Sequence, residues 1–126
     1  MLVKDVMPQD AMQMLKNGDA MLIDVRTEGE WERDGVVRIQ DKVIFLSLFT
    51  GPQMSPNPNF IDDLQILELP ASTKLLFICK HGGRSASAAS IVAQLGYGCY
   101  NVAGGFEAWK IHCLPRTQVR GSQECT

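Results

Sequence analysis

Dense apolar runs alternate along this chain with segments whose apolar residues return every three or four positions. Ala20-Met21-Leu22-Ile23-Asp24-Val25 and Lys74-Leu75-Leu76-Phe77-Ile78 are runs of the first kind, the pattern of strands buried on both faces. Residues 3–6, 43–46 and 99–102 are shorter strand candidates. Between them the helical period takes over. Pro8 opens a helix that carries Ala11, Met14 and Leu15 inward and stops near Asn17-Gly18. Thr27 is placed to cap a helix over 28–33, acidic in its first turn and ended by Asp34-Gly35. Phe60, Ile61, Leu64, Leu67 and Leu69 predict a helix closed by Pro70. The small-residue run 85–95 predicts another, ending at Gly96, and Gly104-Gly105 turns into a short one over 106–111. Such alternation predicts an α/β fold: a mainly parallel five-stranded sheet with helices on both faces, binding ligands at the carboxyl ends of its strands. Residues 50–58, with three prolines in the last seven, form the one long irregular stretch, either a surface connector or a flap over a site.

Composition narrows the picture without changing it. With 126 residues, 45% hydrophobic and 21% charged, the chain suits one domain with a full core. That domain is expected over 1–115, followed by a frayed polar tail over 116–126. A net charge of −2 with no basic run speaks against a nucleic-acid partner. No segment has the roughly 20 apolar residues of a membrane helix, and charges at Lys4 and Asp5 stand where a signal peptide is apolar, so a cytoplasmic location is expected. The cysteines at 79, 99, 113 and 125 lack metal-site spacing, so neither zinc nor any other metal is called for, and an intracellular chain of this size needs no disulfide framework. Cys99 reads as a buried apolar residue. Cys125, in the polar tail, is either inert or a resolving thiol.

The chemistry concentrates in Cys79-Lys80-His81-Gly82-Gly83-Arg84, with Ser85 behind it. Cys79 ends a buried strand and a helix follows. Gly82 and Gly83 let the backbone curve so that N–H groups from Lys80 through Ser85 converge, and the helix start adds positive potential. That environment stabilises a thiolate and cradles an anion beside it. Lys80 and Arg84 offer charge to an anionic substrate; the alternatives are a salt bridge from Arg84 to a nearby carboxylate and a Lys80 that faces solvent. His81 is a candidate proton carrier. Asp24 and Arg26, at a strand end, are expected to pair and brace the loop. Trp109 is expected in the core.

Three segments in register resemble the rhodanese family of sulfurtransferases. They are Leu22-Ile23-Asp24-Val25-Arg26 with Glu30-Trp31, the loop Cys79 to Arg84, and Gly104-Gly105-Phe106-Glu107-Ala108-Trp109 with Leu114-Pro115. Together they cover the chain from about Asp5 to Pro115. The resemblance implies a rhodanese-like three-layer fold and a Cys79 persulfide that takes a sulfane sulfur from a donor such as thiosulfate and passes it to a thiol or cyanide, with no cofactor. It implies Cys79 as the catalytic residue and Lys80, His81, Gly82, Gly83, Arg84 and Ser85 around the substrate, with Asp24 and Arg26 in support.

Two departures stand out. Gly35-Val36-Val37-Arg38-Ile39-Gln40 replaces the family's G-H-I-x-G-A turn, and could mark where a protein persulfide partner docks. Cys113 stands where a glycine commonly precedes the final Leu-Pro. The competing readings are a non-catalytic sulfur-carrier or partner-binding module and, further off, a cysteine-based phosphatase or arsenate reductase. The latter pattern puts five residues between cysteine and arginine, whereas four separate Cys79 from Arg84, a loop sized for one sulfur atom.

Overall fold

The computed structural model describes residues 3–117. Five strands form the main sheet: β1 (Lys4–Val6), β2 (Ala20–Asp24), β3 (Val43–Phe45), β6 (Lys74–Ile78) and β7 (Gly98–Val102). Their order is β1-β7-β6-β2-β3 and every neighbouring pair is parallel, as the alternating pattern predicts. Helices α1 (Pro8–Asn17), α2 (Glu28–Asp34), α3 (Phe60–Ile66), α4 (Gly83–Ala93) and α5 (Gly105–Ile111) connect and cover them.

The sheet separates two apolar clusters, which is why its central strands carry no polar alternation. Phe77, Leu75 and Ile23 face a cluster with Phe60 and Leu64 of α3 and Ala88, Ala89 and Val92 of α4. Leu76, Ile78 and Leu22 face the other, with Ala11 and Leu15 of α1 and Phe106 and Trp109 of α5. Each fully buried large side chain there contributes about 1.5–3 kcal/mol relative to exposure.

The chain steps from β2 outward to β3, returns to β6 at the centre, and then steps the other way to β7. Loops leaving β2 and β6 therefore diverge and open a crevice at their carboxyl ends. Register brings Asp24 beside Ile78, so the residues after each strand, Arg26 and Cys79, share that crevice.

Several elements differ from the sequence reading, each for a local reason. The helix predicted to reach Leu69 stops at Ile66, because Glu68 takes a left-handed conformation (φ 50°) that turns Leu69 back onto the core. Helix α4 begins at Gly83 rather than Ser85. The irregular 50–58 stretch contains a small antiparallel pair, β4 (Phe49–Thr50) and β5 (Ser55–Pro56).

The segment that departs from the family turn is not an open patch. Val37 and Ile39 are buried, Arg38 and Gln40 exposed. Val37 bridges to Arg116, and Thr117 N–H donates to the Val36 carbonyl at 2.7 Å. The first two residues of the polar tail are thus tied to the domain; the rest of the stretch expected to fray, 118–126 with Cys125, lies outside the described residues. Cys113 holds φ 55°, a left-handed conformation that accounts for a glycine being common there. No helix among the described residues is long and apolar enough to cross a membrane.

Candidate active site

The nucleophile candidate sits where the central strand ends. Cys79 is 1% exposed, and its sulfur accepts a hydrogen bond from Gly82 N–H at 3.0 Å and lies 3.2 Å from the Ser85 hydroxyl. The curvature that aims Gly82 N–H at the sulfur rests on one glycine. Gly82 has φ 114°, as N-cap of α4. Gly83 does not share this duty: it is the first residue of α4, and a Cβ there would meet nothing within 4 Å. Gly82→Ala should therefore cost about 1–2 kcal/mol and disturb the sulfur's hydrogen bond, while Gly83→Ala should be nearly neutral. Denaturant melts of the two variants check this, and equal losses would contradict it.

The expected convergence of all loop N–H groups on the sulfur is only partly seen. Gly82 N–H reaches it. The N–H groups of Gly83, Arg84 and Ser85 belong to the first turn of α4, which has no side-chain cap, so the helix itself leaves them available to an anion.

The backbone behind the nucleophile is clamped by α5. Phe106 N–H donates to the Cys79 carbonyl at 2.7 Å and Glu107 N–H to the Lys80 carbonyl at 3.1 Å. Gly104 and Gly105 make this approach possible, both at positive φ (75° and 62°). Trp109 is buried, with its Nε1–H donating to the Pro115 carbonyl at 2.9 Å, which explains why the Gly-Gly and Leu-Pro segments belong to one motif.

Asp24 and Arg26 form a fully buried pair. Arg26 donates from Nε to Oδ1 at 3.0 Å and from Nη2 to Oδ2 at 2.8 Å, and Nη2 also reaches the Gly35 carbonyl. Neither touches the sulfur. Arg26 instead lies over the Phe106 ring, 4.2 Å from its centroid, and so supports the residue that holds the Cys79 carbonyl.

Arg84 is committed to a carboxylate. It forks onto Glu30 with contacts of 2.7 and 2.8 Å, so its charge is largely compensated before any substrate arrives. The sequence reading offered this alternative without identifying the partner, which lies 54 residues away. Glu30 also closes the capping box of α2 with Thr27. Burial alone would push the Glu30 carboxyl up, but hydrogen bonds from Arg84 and Thr27, with the Arg84 charge, hold it down to about 2.

Because the folded value lies below the ordinary 4.5, the contribution is fully present above about pH 4.5 and is lost as pH falls toward 2. Glu30→Gln should flatten that acid limb in urea melts taken between pH 5 and 2; an unchanged slope would contradict the pairing.

A cavity of about 590 Å³ opens beside this ion pair, walled by Thr27, Glu28 and Arg33 on one side and Gly51, Pro52 and Met54 on the other. The 50–58 stretch therefore faces Arg84 rather than merely connecting elements. Lys80 is half-buried and His81 exposed on the loop rim. Cys99 is buried, and burial pushes its thiol up to about 11, which makes it an inert apolar residue. Sequence reasoning missed Asn101, whose Oδ1 lies against the Ser85 hydroxyl, and Asp5 behind it.

The rhodanese-like domain model matches residues 7–112. RP600, a Rickettsia prowazekii (strain Madrid E) protein of unassigned function, is 40% identical over 126 residues, covering 91% of this chain and 98% of its own. A thiosulfate sulfurtransferase GlpE of Ectopseudomonas mendocina (strain ymp) is 29% identical over 122 residues, 96% of each chain. The crystal structure of Rv0390 from M. tuberculosis superposes with a TM-score of 0.82 at 28% identity, over 94% of this chain and 100% of that one.

Proposed function

The chain belongs to the rhodanese-like domain family, and from that premise we propose that it is a sulfurtransferase working through a persulfide on Cys79. The observation that carries this reading is the sulfur's setting: a buried cysteine at the end of the central strand, bonded by Gly82 N–H and flanked by the Ser85 hydroxyl and the open first turn of α4.

The Cys79 thiolate attacks the outer sulfur of a donor such as thiosulfate. A new S–S bond forms, the donor's S–S bond breaks, and sulfite departs with the electron pair. An acceptor thiolate or cyanide then attacks the terminal sulfur of the persulfide, and the Cys79 thiolate leaves. The two half-reactions through a covalent enzyme predict ping-pong kinetics. The terminal sulfur is anionic, and the donors available to it are the N–H groups of Gly83, Arg84 and Ser85. No step requires a cofactor.

The acceptor is a small thiol or cyanide, a protein persulfide partner is an alternative donor to thiosulfate, and the setting is cytoplasmic. Commitment of both terminal Arg84 nitrogens, Nη1 and Nη2, to Glu30 disfavours the phosphatase reading, in which that arginine grips a tetrahedral oxyanion.

Incubation with thiosulfate tests the proposal. The intact mass should rise by one sulfur, borne on Cys79, with stoichiometric sulfite release. Absence of both with a panel of thiosulfate, polysulfide and glutathione persulfide would overturn it, and Cys79-dependent hydrolysis of an aryl phosphate would point to the phosphatase class instead.

A further inference from the structure

The Ser85 hydroxyl has one proton and three acceptors around it. Its Oγ lies 3.2 Å from the Cys79 sulfur, 3.2 Å from the Gly82 carbonyl and 2.5 Å from Asn101 Oδ1. Ser85 is 0% and Asn101 5% exposed, so water does not supply a substitute partner. The orientation of the Asn101 amide is itself fixed. Its Nδ2 donates to Asp5 Oδ1 at 3.1 Å, and because a carboxylate only accepts, the amide oxygen is left facing Ser85. Asp5 stands beside Asn101 in the parallel register of β1 and β7, which holds the two together.

We propose that Asn101, oriented by Asp5, is a positioning residue that competes with the Cys79 sulfur for the Ser85 hydroxyl proton. When Cys79 is a thiol, its S–H donates to Ser85 Oγ and the hydroxyl donates on to Asn101, so every group is satisfied. When Cys79 loses its proton, the hydroxyl must turn to the sulfur, and Asn101 Oδ1 is left buried without that donor. Ionisation of Cys79 thus carries the cost of an abandoned acceptor, so Asn101 opposes formation of the thiolate. The reactive consequences rest on the sulfurtransferase reading. The competition itself concerns only the proton on Cys79.

The charged and titratable groups around the sulfur are Arg84 with Glu30 from α2, Asp24 and Arg26 at the end of β2, Lys80 and His81 in the loop, and Asp5 beyond Asn101. Asn101→Leu alters none of these charges. It should lower the pH midpoint of iodoacetamide alkylation at Cys79, followed by peptide mass, by about one unit, since a hydrogen bond to a charged group commits fully to the sulfur. In a Ser85→Ala background, which removes the contested hydroxyl, the same substitution should leave the midpoint where it is. Asn101→Ala, smaller and free of steric demand, repeats the test should leucine fail to fold.

A folded Asn101 variant with an unchanged midpoint would overturn the proposal, as would an equal shift with and without the Ser85 hydroxyl. Alkylation needs no sulfur donor, so this result is independent of the thiosulfate mass gain, and failure of one is distinguishable from failure of the other.

Discussion

Replacing Cys79 by serine should abolish sulfur transfer, with a loss on the order of 10⁶-fold, the scale seen when an enzyme loses its nucleophile. The substitution changes one atom in a buried pocket. Gly82 N–H and the Ser85 hydroxyl keep an acceptor at that place, and the Cys79 carbonyl keeps its bond to Phe106 N–H. The fold should therefore survive with thermal stability close to the parent. What disappears is a polarisable sulfur whose thiolate attacks divalent sulfur, a nucleophile that a serine hydroxyl does not replace. Sulfite release and intact mass after thiosulfate exposure provide the measurement. A Cys79→Ser chain that still gains one sulfur would place the persulfide on another cysteine. Cys99, buried with its thiol pushed up to about 11, is poorly suited to take it.

Gly105→Ala should be the most damaging single methyl group that can be added to the third motif. A Cβ at Gly105 would meet the Lys80 carbonyl carbon and oxygen at 2.6 Å and the Cys79 oxygen closer still, all backbone atoms that cannot swing aside. Its φ of 62° adds strain for any side chain. Left-handed strain and overpacking together cost about 3 kcal/mol. The relief available is for α5 to retreat, which breaks the Phe106 and Glu107 bonds to the nucleophile loop, so activity should fall with stability. Gly29→Ala supplies the control, because a Cβ there meets nothing within 4 Å inside α2. If denaturant melts placed Gly105→Ala level with Gly29→Ala, the clamp described for α5 would be wrong.

Both expectations turn on a site that was only half legible in the chain. Cys79, the strand before it and the helix after it follow from local pattern: a dense apolar run, a glycine turn and a run of small residues. Thr27 likewise announces a helix start by its place before an acidic first turn, although the reciprocal Glu30 half of the capping box is seen only in the structure. The same local reading credited Gly83 with curvature that Gly82 supplies alone, because two adjacent glycines look alike until their φ values are known. It carried α3 three residues too far, since left-handed Glu68 is no glycine and gives no warning.

The sequence by itself determined the alternation of strands and helices, the family, and the residue with nucleophilic character, because each depends on neighbours a few positions apart. Tertiary structure decided what that residue is surrounded by. Glu30 claims Arg84 across 54 residues, α5 grips the carbonyls of Cys79 and Lys80, and Asp5 reaches Ser85 through Asn101 only because β1 lies beside β7. Charge and hydrogen-bonding capacity are written in each side chain, but which partner absorbs them is set by which strands the buried apolar faces bring together.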